Sequence, residues 1–591
     1  MLKNKIQSGF IVGTIIFLQL WFLFSQQLFG DEAFYWLEGQ YLDLSYSELP
    51  GWTAWMIRLG TELFGNNYFA VRIVSYLGYL SIFWAVFLIN KSLSSSNFNS
   101  ILYLLAIPLF VLLVVMALPD IWLVFFVIWI IFVFVKANQS KKTMDWAVLG
   151  IVIAAAINVH VRMWIWLFIA GLSFLWILRK QLYFYKKLFL VTLPIAILGF
   201  LPILWFNLNN DFALFAFQFS NRHPWVFQWQ NIGFVLSQFV VVTPLVFIHW
   251  IKGFFYLKKK PVMIQWILIT AIMHWLLYVL LSFFADGLRT TVHWLLISYV
   301  PVLGIVGIGL QARVFAKWAI VSGLLISLWL LFTLNFNHAQ GSNIQARILD
   351  NSTGWYELSV AVKRVQKQRN LDNIVADYFM TAAELAFELE KPTSIKVLPH
   401  AKSIKHGRQK QLQIMGMLLD VPKHYKQPAL LVVEDSTLKL KNKAKYYAQL
   451  CKSFTSLELL ESIVIGESNK LFHLFEINNA STEQACEIPA LFYVESTFND
   501  DSIHVKGWAI LHQIGIEKLY FKSGERETLI ANNRLENTGV AQQFPEIRDF
   551  NNPNIGFEVN IFNTRINNNS FQIKAIGNNG RVYLSQTYYL D

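Results

Sequence analysis

The stretch DEAFYWLEGQYLDLSYSELPGWTAWMIRLGTELFGNNYFAVR, residues 31–72, follows the first of a long series of apolar runs and leads into the second. Most of these runs have about 17–25 residues, which is the length that a helix needs to cross a bilayer. They end near Phe336, and the sequence that follows has the composition of a soluble protein. Because 55% of the residues are hydrophobic and are distributed in this way, the sequence predicts a membrane part, residues 1–336, and an extramembranous part.

The apolar runs define eleven predicted transmembrane helices. The first run follows a basic N-terminus and has no cleavage site of small residues behind it, so we interpret it as an uncleaved span. The predicted spans lie at about 9–29, 68–90, 99–117, 120–136, 146–159, 163–178, 188–206, 232–251, 262–284, 292–311 and 315–335. The sequence therefore predicts a mostly α-helical membrane protein.

The distribution of charge predicts how these spans are oriented. Residues 1–336 contain 21 Lys and Arg residues but only 10 Asp and Glu residues. The formal charge of +12 is therefore concentrated in loops between spans, which argues against a surface for nucleic acid. All lysines of this part fall on one side, which the positive-inside rule assigns to the cytoplasm. The N-terminus is then cytoplasmic and, after eleven spans, the extramembranous part is periplasmic.

Nearly all acidic residues of the membrane part lie on the outer side. Asp31 and Glu32 directly follow the first span, and Asp120 lies in a tight turn before the fourth. Carboxylates at a membrane boundary can take a proton from a hydroxyl group, or they can bind a divalent cation, for which Asp31 and Asp120 are the candidates. They can also be solvated ends of spans, and their positions alone leave both interpretations open.

Basic residues of the later outer loops form a second group of candidates. Arg162, Arg222, Arg289 and His293 lie at span ends or in loops on the same side as Asp31. Arginine presents a planar fork to phosphate oxygens, so this group suits the phosphate of a lipid-linked donor. The alternative, that arginines contact the headgroups of the bilayer, also stays open.

The first outer loop resembles that of the bacterial protein-mannosyltransferase-like glycosyltransferases, which are related to eukaryotic protein O-mannosyltransferases and to the lipid A aminoarabinose transferase. The matching residues of this loop and the start of the next span are Asp31-Glu32-Ala33-Phe34-Tyr35-Trp36, Tyr46-Ser47-Glu48-Leu49-Pro50-Gly51-Trp52-Thr53-Ala54-Trp55, Phe64-Gly65 and Val71-Arg72. Further matches follow in the same order as in the family, at Pro119-Asp120, Pro202-Ile203-Leu204-Trp205-Phe206-Asn207, Phe217-Gln218 and His293-Trp294. Leu49 and Gly51 depart from the pattern of the family, which usually has His and Pro there. The departure weakens a metal or phosphate role for that position.

The resemblance implies a C-type membrane glycosyltransferase fold. The implied reaction is an inverting transfer of a sugar from a polyprenyl-phosphate donor to an acceptor hydroxyl or phosphate at the periplasmic face of the inner membrane. The resemblance implies that Asp31 is catalytic or linked to a metal and that Asp120 makes a second acidic contribution. Glu32 is the third candidate catalytic residue, which would orient the acceptor or a divalent cation. The implied residues of the acceptor loop are Tyr35, Glu48 and Trp52. The acceptor can be lipid A, another glycolipid, a polysaccharide or a protein.

Two other functions stay open at this point. A transporter or flippase of lipid-linked sugars would carry charges near the middle of the bilayer, whereas here they cluster at the outer boundary. A non-catalytic envelope assembly protein would use its extramembranous part instead. The sequence has no fingerprint in a credible context for ATP or for a nucleotide-sugar donor.

The extramembranous part is predicted to contain two domains. Residues 337–480 alternate helical and strand patterns, which predicts a small α/β domain. Residues 487–591 are rich in strand patterns with Asn and Gly turns, which predicts a β-sandwich that resembles an accessory domain of bacterial glycosyltransferases. Cys451 and Cys486 both lie on the predicted outer side, where disulfides can form, but their spacing does not establish a pairing.

Overall fold

The computed structural model divides the chain into two compact units. The first contains Met1–His338 together with Ser403–Met415, and the second contains Ala339–Lys402 together with Gly416–Asp591. We call Ser403–Met415 the returning segment, because it belongs to the membrane unit although it follows the last span by a long stretch of sequence. The structure describes all residues except 1–4, 94–98, 256, 258–259, 287–291, 307–312, 337–349, 421, 466–469, 481–484, 500–501, 531–537, 546–553, 563–569 and 590–591.

The first unit is helical in its described residues. Its α-helices up to residue 336 are α1 (Lys5–Ser25), α2 (Gly30–Gln40), α3 (Trp52–Phe64), α4 (Tyr68–Ser92), α5 (Asn99–Leu105), α6 (Pro108–Leu113), α7 (Pro119–Ser140), α8 (Thr143–Ile157), α9 (Val161–Leu178), α10 (Leu193–Ile197), α11 (Leu201–Asn209), α12 (Ala213–Phe215), α13 (Ile232–Val241), α14 (Pro244–Lys252), α15 (Val262–Ser282), α16 (Leu296–Pro301) and α17 (Arg313–Phe336). Short 3-10 and π-helical turns lie at Arg179–Tyr185, Leu188–Thr192, Leu198–Phe200, Ala216–Asn221, Trp229–Asn231, Val292–Leu295 and Val302–Val306.

Six helices among the described residues are long and apolar enough to cross a membrane, and the number rises to eight if each of two bent pairs is one span. The prediction of a mostly helical membrane part is thus confirmed, whereas eleven spans are not. The predicted span at 99–117 is broken between α5 and α6, where Pro108 has no N–H to continue a helix. Two further predicted spans are short helices, Thr143–Ile157 and Val292–Ile305.

The first outer loop forms two helices that are fixed to the helices around them. The chain bends by 62° between α1 and α2. Helix α3 then packs against both α2 and α4. Helices α3 and α4 approach closely at Gly60, where a Cβ atom would lie 2.1 Å from the carbonyl oxygen of Ala70. Helix α7 packs against α4 and α8 and is buried along most of its length, so its first turn is held in a fixed position beside the loop.

The second unit begins with a region of mixed helices and strands. Its strands are β1 (Asn373–Ala376), β2 (Ile395–Val397), β3 (Ala429–Glu434), β4 (Ser456–Ile465), β5 (Lys470–Asn478) and β6 (Ala485–Cys486), arranged in the order β2-β1-β3-β5-β4-β6. Strands β2, β1 and β3 are parallel, and Ile374 pairs with both Ile395 and Leu430. Strand β5 runs antiparallel to β3 and β4. The helices after residue 350 are α18 (Trp355–Arg369), α19 (Phe379–Glu388), α20 (Ala401–Lys405), α21 (Arg408–Ile414), α22 (Leu440–Ser453) and α23 (Thr538–Gln543).

Two antiparallel sheets follow in the same unit. Their strands are β7 (Leu491–Asn499), β8 (Ser502–Ile510), β9 (Ile516–Ser523), β10 (Arg526–Leu529), β11 (Gly556–Phe562), β12 (Ser570–Gly577), β13 (Val582–Leu584) and β14 (Tyr588–Tyr589). One sheet has the order β11-β8-β7 and the other the order β10-β9-β12-β13, with β14 on β12. Trp508, Phe521 and Phe557 are among the residues of their shared core. Cys451 and Cys486 form a disulfide between α22 and β6.

Candidate functional site

Asp31 lies in the first turn of α2, directly after the bend that separates α1 from α2. Its oxygen Oδ1 lies 2.8 Å from Nη1 of Arg408. The side chain is 34% exposed, and Oδ2 makes no hydrogen bond within the described part of the chain. A carboxylate that is fixed by one oxygen and open at the other is arranged to accept a proton from a bound hydroxyl group.

Arg408, in the returning segment, joins Asp31 to Glu48. Its Nε and Nη2 atoms lie 2.5 and 3.3 Å from the two carboxylate oxygens of Glu48. The guanidinium lies over the rings of Phe34 and Tyr35, at 4.5 and 5.5 Å from their centroids. Burial raises the pKa of the Glu48 carboxyl, and the charge of Arg408 offsets part of this rise. The buried guanidinium of Arg408 thus contacts two carboxylates through two different edges of its plane.

Glu32 follows Asp31 in sequence but faces the protein interior. Its oxygens accept hydrogen bonds from Nε and Nη2 of Arg72, at 2.9 and 2.8 Å. They also accept from the backbone N–H groups of Ala117 and Phe29, at 2.7 and 3.0 Å. Glu32 and Arg72 are each at most 1% exposed. These donors occupy the lone pairs of the Glu32 carboxylate, so the geometry indicates a structural role. Glu32 connects the bend before α2 to helix α4, through Arg72, and to the segment before α7, through Ala117.

Asp120 lies in the first turn of α7, between two basic side chains. Its Oδ1 atom is 2.7 Å from Nη1 of Arg162, and its Oδ2 atom is 3.4 Å from Nε2 of His293. Arg162 is positioned by the start of α9, where the Nδ1 atom of His160 accepts the Arg162 N–H at 3.0 Å. The structure therefore brings three predicted residues together and adds His160 as the cap that orients one of them.

Arg222 joins the loop of Glu48 to the turn that carries Trp294. Its Nη1 atom donates to Oε1 of Gln218 at 2.7 Å. Gln218 in turn donates from Nε2 to the carbonyl oxygen of Glu48 at 2.5 Å. The guanidinium lies 5.9 Å from the ring centroids of both Phe217 and Trp294. Stacking on aromatic faces orients this cation without neutralising its charge.

Two of the buried donors in this region that have no hydrogen-bond partner among the described residues lie beside Asp120 and Trp294. They are the Nε–H of Arg162 and the hydroxyl of Tyr278. The ring of Tyr278 packs edge-on against Trp294, with 5.9 Å between the centroids. Buried donors in folded proteins are nearly always paired, so unpaired ones indicate a place for an acceptor group. A phosphate has the oxygen atoms and the charge that such donors require.

Tyr35 and Trp52, which the sequence assigns to the acceptor loop, are packed within the membrane unit. Tyr35 is 5% exposed and lies beneath Arg408. The ring of Trp52 packs edge-on against Trp122 and Phe126 of α7, at centroid distances of 5.8 and 4.9 Å. These contacts maintain the shape of the first outer loop, and direct contact of either residue with an acceptor stays a prediction.

The geometry does not fit a divalent cation on Asp31 and Asp120. Oδ1 of Asp31 faces a guanidinium, and the oxygens of Asp120 face Arg162 and His293. Within the described ranges, no group of three or more His, Cys, Asp or Glu residues could hold a metal ion. Arg289 lies outside the described residues, so its contact with a phosphate stays a prediction.

Sequence reasoning missed Arg408 and Tyr278. Arg408 lies in a basic, polar stretch of the extramembranous part, and nothing in that stretch links it to the first outer loop. Tyr278 lies within an apolar run of 21 residues that forms α15. A polar side chain within a membrane span often marks a functional site, so the position of Tyr278 in this run could have predicted it as a candidate.

Comparisons with known proteins agree with the resemblance. The family model described as dolichyl-phosphate-mannose-protein mannosyltransferase matches residues 49–206. The lipid A galacturonosyltransferase RgtD of Rhizobium johnstonii is 24% identical over 343 residues, which are 55% of this chain and 64% of RgtD. The chain therefore spans less than two thirds of the length of this relative.

Two solved structures share the fold. ArnT from Cupriavidus metallidurans in the apo state matches with a TM-score of 0.56 and 15% identity, and ArnT bound to undecaprenyl phosphate matches with a TM-score of 0.54 and 14% identity. Each match covers 80% of this chain and 98% of the ArnT chain. The predicted relationship to the protein-mannosyltransferase-like membrane glycosyltransferases is confirmed by these findings.

Proposed function

We propose, from its relationship to the protein-mannosyltransferase-like membrane glycosyltransferases, that this chain transfers a sugar from a polyprenyl-phosphate donor to an acceptor at the periplasmic face of the inner membrane. The observation that carries the proposal is the carboxylate of Asp31. One of its oxygens forms an ion pair with Arg408 at 2.8 Å, and the other makes no hydrogen bond to the described residues, in a side chain that is 34% exposed. This arrangement supports a general base that faces a bound acceptor.

In the proposed reaction, Oδ2 of Asp31 takes the proton of an acceptor hydroxyl group. The acceptor oxygen forms a bond to the anomeric carbon of the donor sugar while the bond from that carbon to the phosphate oxygen breaks. The polyprenyl phosphate leaves with the bonding electron pair. A single displacement inverts the configuration at the anomeric carbon, and protein dipoles and cations near the leaving group stabilise the charge that develops on it.

The basic side chains around Asp120 are the proposed site of the donor phosphate. Arg162 and Tyr278 have buried donors without a hydrogen-bond partner in the described part of the chain, and Arg222 lies over the ring of Trp294. Asp120 holds Arg162 in place at 2.7 Å, so we assign it to positioning rather than to proton transfer. Support also comes from ArnT, which shares the fold and has been crystallised with undecaprenyl phosphate.

Lipid A is the acceptor that the comparisons favour. RgtD, which is 24% identical to this chain, is described as a lipid A galacturonosyltransferase. The acceptor could also be another glycolipid, a polysaccharide or a protein, and the assay below distinguishes them by the species that becomes labelled.

The orientation of the chain is part of the proposal. We propose eleven membrane-crossing segments, with broken and short helices among them, a cytoplasmic N-terminus and periplasmic C-terminal domains. The absence of lysine from one set of loops supports this orientation through the positive-inside rule. The disulfide between Cys451 and Cys486 supports it as well, because the periplasm is oxidising.

The proposal is tested with the purified full-length chain in liposomes that contain a labelled polyprenyl-phosphate sugar. Lipid A, a mixture of other envelope glycolipids, and an envelope protein extract are offered separately. We expect label in the lipid A fraction and a product whose anomeric configuration is opposite to that of the donor. Retention of configuration, or movement of intact donor across the bilayer without transfer, would contradict the proposal.

A further inference from the structure

Arg408 stands out among the charged residues of the membrane unit because it is contributed from beyond the last span. Its side chain is 1% exposed, and its guanidinium contacts carboxylates on two sides. The fork formed by Nε and Nη2 faces Glu48, whose side chain is 15% exposed, whereas Nη1 faces Asp31, whose side chain is 34% exposed. The two contacts are therefore made by different edges of one planar group.

The returning segment is fastened to the membrane unit on both sides of Arg408. The backbone N–H of Ser47 donates to Oε1 of Gln411 at 2.9 Å, and the Ser47 hydroxyl donates to the carbonyl oxygen of Gly407 at 2.8 Å. At the surface, Lys410 pairs with Asp211 at 3.0 Å. These contacts fix the backbone from which Arg408 extends, so the guanidinium has little freedom to move.

The backbone directly before Arg408 requires glycine. Gly407 has a φ of +75°, a backbone conformation that residues with a side chain rarely adopt. A Cβ atom at this position would also lie 2.6 Å from the ring of Phe217. The close approach of this glycine to Phe217 places the start of α21 against the turn Ala216–Asn221.

A purely structural part for Arg408 would need only Glu48. The forked contact between them is mostly shielded from solvent and pairs the charge of each partner. The additional contact with Asp31 contributes little to stability, because ion pairs at partly exposed positions are weak. Its main effect is geometric, since the ion pair keeps Oδ1 of Asp31 2.8 Å from Nη1 and so restricts the directions in which Oδ2 can point.

We propose that Arg408 is a positioning residue for the transfer reaction, which holds the carboxylate of Asp31 so that Oδ2 faces the acceptor. This inference rests on the proposed function. The returning segment thus completes the site, because the group that orients the base comes from the extramembranous part of the sequence. Orientation of this kind affects turnover more than binding, and a displacement of about 1 Å can cost about 100-fold in rate.

The test uses Arg408→Gln, the double variant Glu48→Gln/Arg408→Gln, and Lys410→Gln as the matched control from the same segment. The full-length variants are assayed in liposomes with the labelled donor and with lipid A, and folding is checked by thermal stability in detergent. We expect kcat of Arg408→Gln to fall about 10- to 100-fold, with KM for both substrates within about twofold of the wild type. Lys410→Gln should match the wild type, since its partner Asp211 is 88% exposed.

The double variant separates positioning from neutralisation of charge. If Arg408 only neutralises Glu48, removing both charges restores folding and activity together. If Arg408 positions Asp31, the double variant regains thermal stability but keeps the low kcat, and millimolar methylguanidinium raises that kcat. Wild-type kcat in the folded double variant would overturn the inference. Failure of the proposed function is distinguishable, because the wild type itself would then transfer no label.

Discussion

At the scale of single residues, Asp31 and Glu32 have opposite surroundings although they are neighbours in the sequence. Successive side chains on a helix do not face the same direction, so one carboxylate of the pair is exposed and the other is buried against Arg72. The sequence predicts an acidic pair at the end of the first span. It cannot predict which member is buried, because Arg72 and the backbone of Ala117 are brought to Glu32 only by tertiary packing.

We predict that Glu32→Gln lowers stability without removing activity. Breaking a buried ion pair by neutralising one partner leaves Arg72 uncompensated and costs about 3–5 kcal/mol. The control is Glu62→Gln, which removes an exposed partner of Arg58. Thermal unfolding in detergent should shift strongly for Glu32→Gln and little for the control, while kcat per folded molecule stays within about threefold of the wild type for both. Loss of turnover in folded Glu32→Gln would instead indicate a part in the reaction.

At the scale of elements, the hydrophobic pattern predicts the helices well and their continuity poorly. Every predicted span contains a helix, but Pro108 divides one of them, and another bends by 91° between α13 and α14. A helix can break within a span where neighbouring helices form hydrogen bonds with the backbone groups that the break leaves unpaired. The apolar pattern of the sequence does not show where such partners lie. The returning segment was not predicted at all, because its contacts are made with residues far away in the sequence.

We predict that Gly407→Ala disrupts the site through the returning segment. Alanine at a φ of +75° is strained, and its Cβ atom would be 2.6 Å from the ring of Phe217, so Arg408 would be displaced. Gly416→Ala is a matched control, because Gly416 has a φ of +67° with open space around it. Transfer assays should show at least about tenfold lower kcat for Gly407→Ala and near-wild-type kcat for Gly416→Ala. Equal kcat values for the two variants would contradict the importance of the contact.

At the scale of the whole molecule, the sequence predicts a membrane part followed by an α/β region and β-sheets. The shift in composition after Phe336 and the changes in periodicity carry that information. All described strands except β6 (Ala485–Cys486), which lies between the two predicted regions, start and end inside one of them. The candidate site was predicted in part: Asp120, Arg162 and His293 do meet, but Arg408 and Tyr278 were missed. Composition and spacing do not show which distant segments fold back on one another.

We predict that Cys451 and Cys486 are oxidised in cells, because the proposed orientation places them in the periplasm. Membranes are denatured, treated with a maleimide of high mass and compared by gel electrophoresis with and without prior reduction. The wild type should be labelled only after reduction, whereas Cys451→Ser should be labelled at its remaining cysteine without it. Labelling of the unreduced wild type at both cysteines would contradict a periplasmic location.

The central claim, that Asp31 is the base of a glycosyltransferase, is tested most directly by the turnover of Asp31→Asn. This substitution keeps the shape of the side chain but removes its basicity, and a positioned general base contributes about 100- to 10,000-fold to a rate. We measure transfer of label from a polyprenyl-phosphate sugar to lipid A in liposomes, with Asp43→Asn in the same outer loop as the control. We expect kcat of the folded Asp31→Asn variant to fall by at least about 100-fold while the control keeps wild-type turnover. Wild-type turnover in folded Asp31→Asn would contradict the claim.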